Sequence, residues 1–269
     1  MGLEYPQPSD SSPDLQVDVE AVLGSFVQLL KRCFAARLVS VALYGSIVFG
    51  DLAPGYGDLD FLAVVDSDLS ELDRQRLVEL RKPLRSGTAS VLKQMIEGAF
   101  LPRRMLDPSI AGGAFWWGTS GERPWSTNNL GPLVLHVIRE RGRVIYGQDI
   151  RNEIPAITRQ QMLEDVRNAC RSAQLRGRGG TLHSIGWLLE IARHLLWIRE
   201  DRLSSKSEAA DWGVVHARGS WRELLPRAKQ LRLQPGLADL PQWKSWLGTL
   251  DAPIKQAAAE LQEACDGYS

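Results

Sequence analysis

The stretch Asp58-Leu59-Asp60-Phe61-Leu62-Ala63-Val64-Val65 limits the fold more than any other part of the chain. A run so short and so apolar predicts a strand covered on both faces, and such a strand needs helices and neighbouring strands around it. Val39 to Tyr44, ended by Gly45-Ser46, predicts a second buried strand. Gln94 to Leu101, stopped by Pro102, predicts a third. The two carboxylates at the head of the central run are anomalous. Residues two apart on a strand face the same way, so Asp58 and Asp60 lie side by side and repel unless something neutralises them.

Helical periodicity fills the remaining sequence. Apolar residues at Val19, Val22, Leu23, Phe26, Leu29, Leu30 and Cys33 predict an amphipathic helix over 17–38, and Glu71 to Arg85 reads as a charged helix. Beyond Leu130 the strand signals fade and helices are expected at 131–141, 159–176, 182–199, 206–216, 221–231 and 253–265. This shift predicts an α/β domain with a small mixed sheet over 16–150, then an all-α helical bundle over 151–269, behind an extended leader at 1–15. Arg176 to Thr181 reads as a connector between helices, because no strand precedes it as a phosphate-binding turn requires.

Hard divalent cations answer the problem of the paired carboxylates. Mg²⁺ is held by one or two carboxylates with phosphate oxygens completing its shell. The Gly45-Ser46 turn adds backbone N–H groups and a hydroxyl able to hold terminal phosphates, which together describe a metal–nucleotide site. Glu97 is a carboxylate inside the third apolar run. It reads either as a base or metal ligand beside the aspartates, or as an edge residue facing solvent.

Strand, Gly45-Ser46, an eleven-residue spacer, Asp58-Leu59-Asp60 and apolar strand, in that order, resembles the nucleotidyltransferase superfamily. Lys206-Ser207-Glu208-Ala209-Ala210-Asp211-Trp212 resembles the Lys-x-x-Ala-Ala-Asp-Trp segment of bacterial aminoglycoside 3''- and 9-adenylyltransferases, and Leu133 to Gly147 resembles their interdomain helix. The resemblance implies two domains that close around ATP, two Mg²⁺ ions and the antibiotic. It assigns Gly45 and Ser46 to the triphosphate, Asp58 and Asp60 to metal with Glu97 as base or further ligand, and Arg193 and Lys206 to the phosphates.

The implied reaction is transfer of AMP from ATP to a hydroxyl of an aminoglycoside or aminocyclitol, releasing pyrophosphate. Streptomycin and spectinomycin enzymes carry an aspartate where this chain has His183. Glu122, Glu190 and Asp201 are the carboxylates considered for a polycationic acceptor, with His183 beside them. His183, Trp187, Glu190, His194 and Trp197 follow helical spacing and form either a packed face or a ligand face. Phe115-Trp116-Trp117 and Trp125 read as part of an irregular, glycine-rich segment between the domains, serving packing or stacking on a sugar.

Composition excludes several other classes. With 44% hydrophobic and 24% charged residues the chain can bury a core. Lys and Arg total 32, matched by 32 Asp and Glu, so there is no basic track for nucleic acid. Cys33, Cys170 and Cys265 lack metal spacing, and no stretch reads as a signal peptide or a membrane span. A cytoplasmic monomer is therefore expected, with ATP and a small-molecule acceptor as partners and neither nucleic acid nor membrane. Two other classes stay open: a nucleotidyltransferase acting on another small molecule or a protein, and an inactive binding module of the same fold.

Overall fold

The computed structural model describes residues 13–86, 89–118 and 121–267. The chain parts into two compact units between Ala156 and Ile157. In the first, α1 (Pro13–Phe34) leads into β1 (Leu38–Tyr44), followed by β2 (Leu59–Val65), α2 (Glu71–Leu84), the single turn α3 (Val91–Gln94) and β3 (Ile96–Pro102). A hairpin of β4 (Ala114–Gly118) and β5 (Gly121–Trp125), then α4 (Pro132–Arg141) and β6 (Arg143–Gly147), complete it. The leader expected at 1–15 lies outside the described residues over 1–12, and 13–15 open α1.

The six strands form one mixed sheet in the order β5-β4-β3-β2-β1-β6. Only β2 and β3 run parallel; the other neighbouring pairs are antiparallel. In both parallel strands every residue is buried except the second, which is Asp60 in β2 and Glu97 in β3. Alternation sends Phe61, Phe100, Phe115 and Trp117 to one face, where they pack with Phe26 of α1 in the main apolar core. Phe26 and Phe61 meet edge to face with ring centroids 4.8 Å apart. Asp60 and Glu97 belong to the opposite face.

Ser70 caps α2 in a reciprocal arrangement with Asp73. The Arg37 guanidinium, just before β1, donates to both oxygens of Asp73 at 3.0 Å and ties the start of α2 to the sheet.

Four expectations need correction. Residues 115–118 and 121–125 belong to the paired strands β4 and β5 of the sheet, not to an irregular interdomain segment. Gly118, Gly121 and Pro124 mask its alternation, and Pro124 is tolerated because β5 is an edge strand. The helix expected at 131–141 is α4, but the stretch over 133–147 that resembles an interdomain helix is helical only to Arg141; Gly142 follows, and Val144, Ile145 and Tyr146 then extend as β6 against β1. Gln94 belongs to a helical turn rather than to β3, and the first helix ends at Phe34, before the sheet begins.

The second unit consists of α5 (Arg159–Arg176), α6 (Ser184–Glu200), α7 (Lys206–His216), α8 (Leu225–Leu233), α9 (Pro241–Leu247) and α10 (Asp251–Asp266). Eleven of the seventeen residues of α6 are buried, which makes it the central helix, with α5, α7, α8 and α10 packed around it. α9 was not expected from the sequence, since it is only seven residues long. Among the described residues no helix is long and apolar enough to cross a membrane.

Candidate active site

The strand register gathers the acidic residues. Asp60 stands opposite Tyr44 of β1 on one side and opposite Glu97 of β3 on the other. Asp58 lies two residues before Asp60, just ahead of β2. The chain leaves β1 through Gly45 at φ +70°, where a Cβ would sit 2.0 Å from Asp60 Oδ2. Only glycine lets the turn press against the carboxylate. Ser46 follows, and its Oγ is buried with no hydrogen-bond partner among the described residues.

The Tyr44 side chain reports on the convergence of charge. Burial pushes its phenol well above the usual value, and Asp60, Glu97 and Asp58 push it further in the same direction. Tyr44 thus stays a neutral O–H at the meeting point of the three carboxylates. Sequence reasoning passed over it, although its place directly before Gly45-Ser46 was a usable signal. Trp116 and Trp125 lie on the same sheet face as Asp60 and Glu97 and stack with centroids 5.0 Å apart. The Trp116 indole covers Gly118, where a Cβ would meet its Nε1 at 2.1 Å.

Among the described residues no three His, Cys, Asp or Glu side chains are close enough together to hold a metal ion by themselves. The donor set nevertheless suits Mg²⁺. Asp58, Asp60 and Glu97 offer only oxygen, Mg²⁺ needs one or two such carboxylates, and the unpartnered Ser46 hydroxyl offers a contact to an anion beside them.

The helical unit carries its own charge cluster. Glu190 on α6 pairs with Arg193 one turn later, and its other oxygen lies 3.5 Å from Nζ of Lys206, the first residue of α7. His194 Nε2 lies 3.4 Å from the oxygen that Arg193 engages. Burial alone would raise the Glu190 carboxyl, but Arg193, Lys206 and His194 override it and hold the group far below the usual carboxylate range. Three of the residues singled out in the sequence, Glu190, Arg193 and Lys206, therefore meet at one point.

The other acceptor candidates lie elsewhere. Glu122 pairs with Trp117, on the face away from Asp60 and Glu97, and its carboxylate sits 2.9 Å from the buried Arg81 guanidinium. His183 is exposed at the N-cap position of α6, seven residues before Glu190 and so about 10 Å along the axis. Asp201 ends α6 at φ 53° and pairs with Arg159.

Residues 153–259 match the family described as aminoglycoside adenylyltransferase, C-terminal domain. No curated protein sequence matches the chain. Among solved structures, the spectinomycin adenyltransferase AAD(9) from Enterococcus faecialis, determined with ATP and spectinomycin, superposes with a TM-score of 0.72. The match covers 90% of this chain and 99% of that one at 18% identity. The fold is that of the aminoglycoside adenylyltransferases. In this adenylyltransferase fold the mixed sheet comes first and the helical unit, with the Glu190 cluster, second.

Two expected results arise from the local geometry. Gly45→Ala should lose about 1–2 kcal/mol of stability, because a left-handed φ is strained for an L side chain and the new methyl would have to displace Asp60. Thermal unfolding checks this, and wild-type stability would refute the contact.

The second concerns His194, whose imidazole is pushed down from its usual 6.5 to about 4. Burial is the main cause, Glu190 opposes it, and Arg193 and Lys206 add to it. Between these values the unfolded chain binds a proton that the folded chain refuses, so stability is full above about pH 6.5 and falls as pH drops toward 4. The melting temperature should therefore fall between about pH 7 and about pH 5, and fall less steeply in His194→Asn. Equal slopes in the two proteins would refute the assignment.

Proposed function

We propose that the protein is an enzyme that transfers AMP from ATP to a hydroxyl of an aminoglycoside or aminocyclitol antibiotic, and so confers resistance. One observation carries the reading: the Gly45-Ser46 turn packs against Asp60, which stands in register beside Glu97, so phosphate-binding groups and carboxylates occupy one corner of the sheet. An inactive binding module would have no need to gather three carboxylates beside this turn. The similarity of the helical unit to aminoglycoside adenylyltransferases supports the acceptor class.

Each residue has a role in this reading. Asp58 and Asp60 would hold Mg²⁺, which supplies charge neutralisation at the triphosphate when bound. The Gly45-Ser46 backbone and the Ser46 hydroxyl bind phosphate oxygens. Arg193 and Lys206 offer the triphosphate positive charge, in contacts stronger than neutral hydrogen bonds. Glu97 takes the proton of the acceptor hydroxyl as its oxygen bonds to the α-phosphorus and the bond to the β-phosphate oxygen breaks, releasing pyrophosphate.

An imidazole at position 183 has no pair of carboxylate oxygens to offer a guanidinium, so spectinomycin-like acceptors are preferred to streptomycin. Without nucleotide the Glu190 carboxylate is engaged by Arg193 and Lys206, with the His194 imidazole beside it.

Incubation with ATP, Mg²⁺ and a panel of aminoglycosides and aminocyclitols tests the reading. Pyrophosphate release together with a product heavier by one adenylyl group is the expected result. No release with any member of the panel would defeat the acceptor class. Release with an unrelated small molecule or a protein would move the same chemistry to another acceptor.

A further inference from the structure

Within the helical unit, Glu190 and Arg193 are one turn apart on α6, while Lys206 arrives from the start of α7. The two oxygens of one carboxylate divide the two cations between them, Oε1 toward Arg193 and Oε2 toward Lys206. Two non-bridging oxygens of a phosphate would present the same pattern. We propose that Glu190 is a positioning residue that stands in for the polyphosphate: without nucleotide it gathers Arg193 and Lys206, and the incoming phosphates take its place. The inference rests on the assignment of Arg193 and Lys206 to the triphosphate.

Three observations support it. The side chains of Glu190, Arg193 and Lys206 are 29%, 29% and 31% exposed, so the cluster is mostly enclosed yet open to an ion from solvent. Two cations against one carboxylate leave a surplus positive charge, which a single carboxylate does not neutralise and a polyphosphate would. Unused donors also remain: Arg193 Nε is buried without a hydrogen-bond partner among the described residues, and so is the hydroxyl of Ser204 just ahead of α7. His194, neutral at physiological pH, adds an imidazole beside the carboxylate without adding charge.

A purely structural ion pair and a stand-in make opposite predictions. If Glu190 only held α6 to α7, its loss would weaken the fold and leave anion binding unchanged or poorer. As a stand-in it competes with the ligand, so removing its charge favours the ligand. The probe is inorganic tripolyphosphate, with binding measured by calorimetry on the full chain, and MgATP turnover in parallel.

Glu190→Gln should bind tripolyphosphate about three- to tenfold more tightly, the effect of removing one partly exposed competing charge. KM for MgATP should fall by a similar factor while kcat also falls, because the cations are no longer held in place. Glu190→Asp, which keeps the charge, should return both quantities toward wild type. Unchanged or weaker tripolyphosphate binding by a Glu190→Gln protein with a native circular dichroism spectrum would overturn the proposal.

Arg193→Ala and Lys206→Ala separate this failure from that of the underlying assignment. If both bind tripolyphosphate like wild type, the phosphate assignment falls and the proposal with it. If both weaken binding and Glu190→Gln does not tighten it, the stand-in role alone is overturned.

Discussion

Asp60→Asn is expected to lower AMP transfer by roughly 10³-fold or more, equivalent to about 4 kcal/mol of transition-state stabilisation, while leaving the fold intact. Asp60 faces Glu97 across the parallel pair and follows Asp58 by two residues, and all three carboxylates act on the buried Tyr44 hydroxyl. In the absence of metal such charges repel, so replacing one with a neutral amide of the same shape relieves repulsion. Thermal stability without metal should stay the same or rise. The pair of results is diagnostic, because a carboxylate that served the fold would lose stability when neutralised. A variant with wild-type turnover at saturating Mg²⁺ would remove Asp60 from the site.

The same residues explain which parts of the chain could be read in advance. β2 and β3 are covered on both faces, so each appears as an apolar run broken by one carboxylate, and those two breaks are Asp60 and Glu97. The β4–β5 hairpin was not legible, because its glycines and Pro124 resemble a loop and its strands need β3 to become a sheet edge. Tyr44 was marked in the sequence only by its place directly before Gly45-Ser46; its role comes from the register that sets it beside Asp60. The Glu190 cluster was half legible. Spacing gives the pair with Arg193, whereas Lys206 joins only because α7 returns along α6. The surroundings of Glu122 were hidden for a related reason, since only the pairing with Trp117 reveals which face it takes and that Arg81 lies there.

Glu97→Gln separates the two chemical roles open to the third carboxylate. Loss of a general base should lower kcat by about 10² to 10⁴ with KM for MgATP little changed, because the amide keeps the shape of the side chain but cannot take the acceptor proton. Its pH profile should also change: the wild-type rate should fall at acid pH as the base is protonated, and the residual activity of the variant should not show that limb. A metal ligand behaves differently. If Glu97 chiefly held metal, KM for MgATP would rise together with the fall in kcat, and raising Mg²⁺ would recover part of the activity. The position of Glu97 permits either outcome, for it is the one residue of β3 that is not fully buried and stands in register with Asp60. Steady-state kinetics at several Mg²⁺ concentrations and pH values distinguish them. An unchanged kcat would assign Glu97 neither role and leave transfer to Asp58, Asp60 and the phosphate-binding groups.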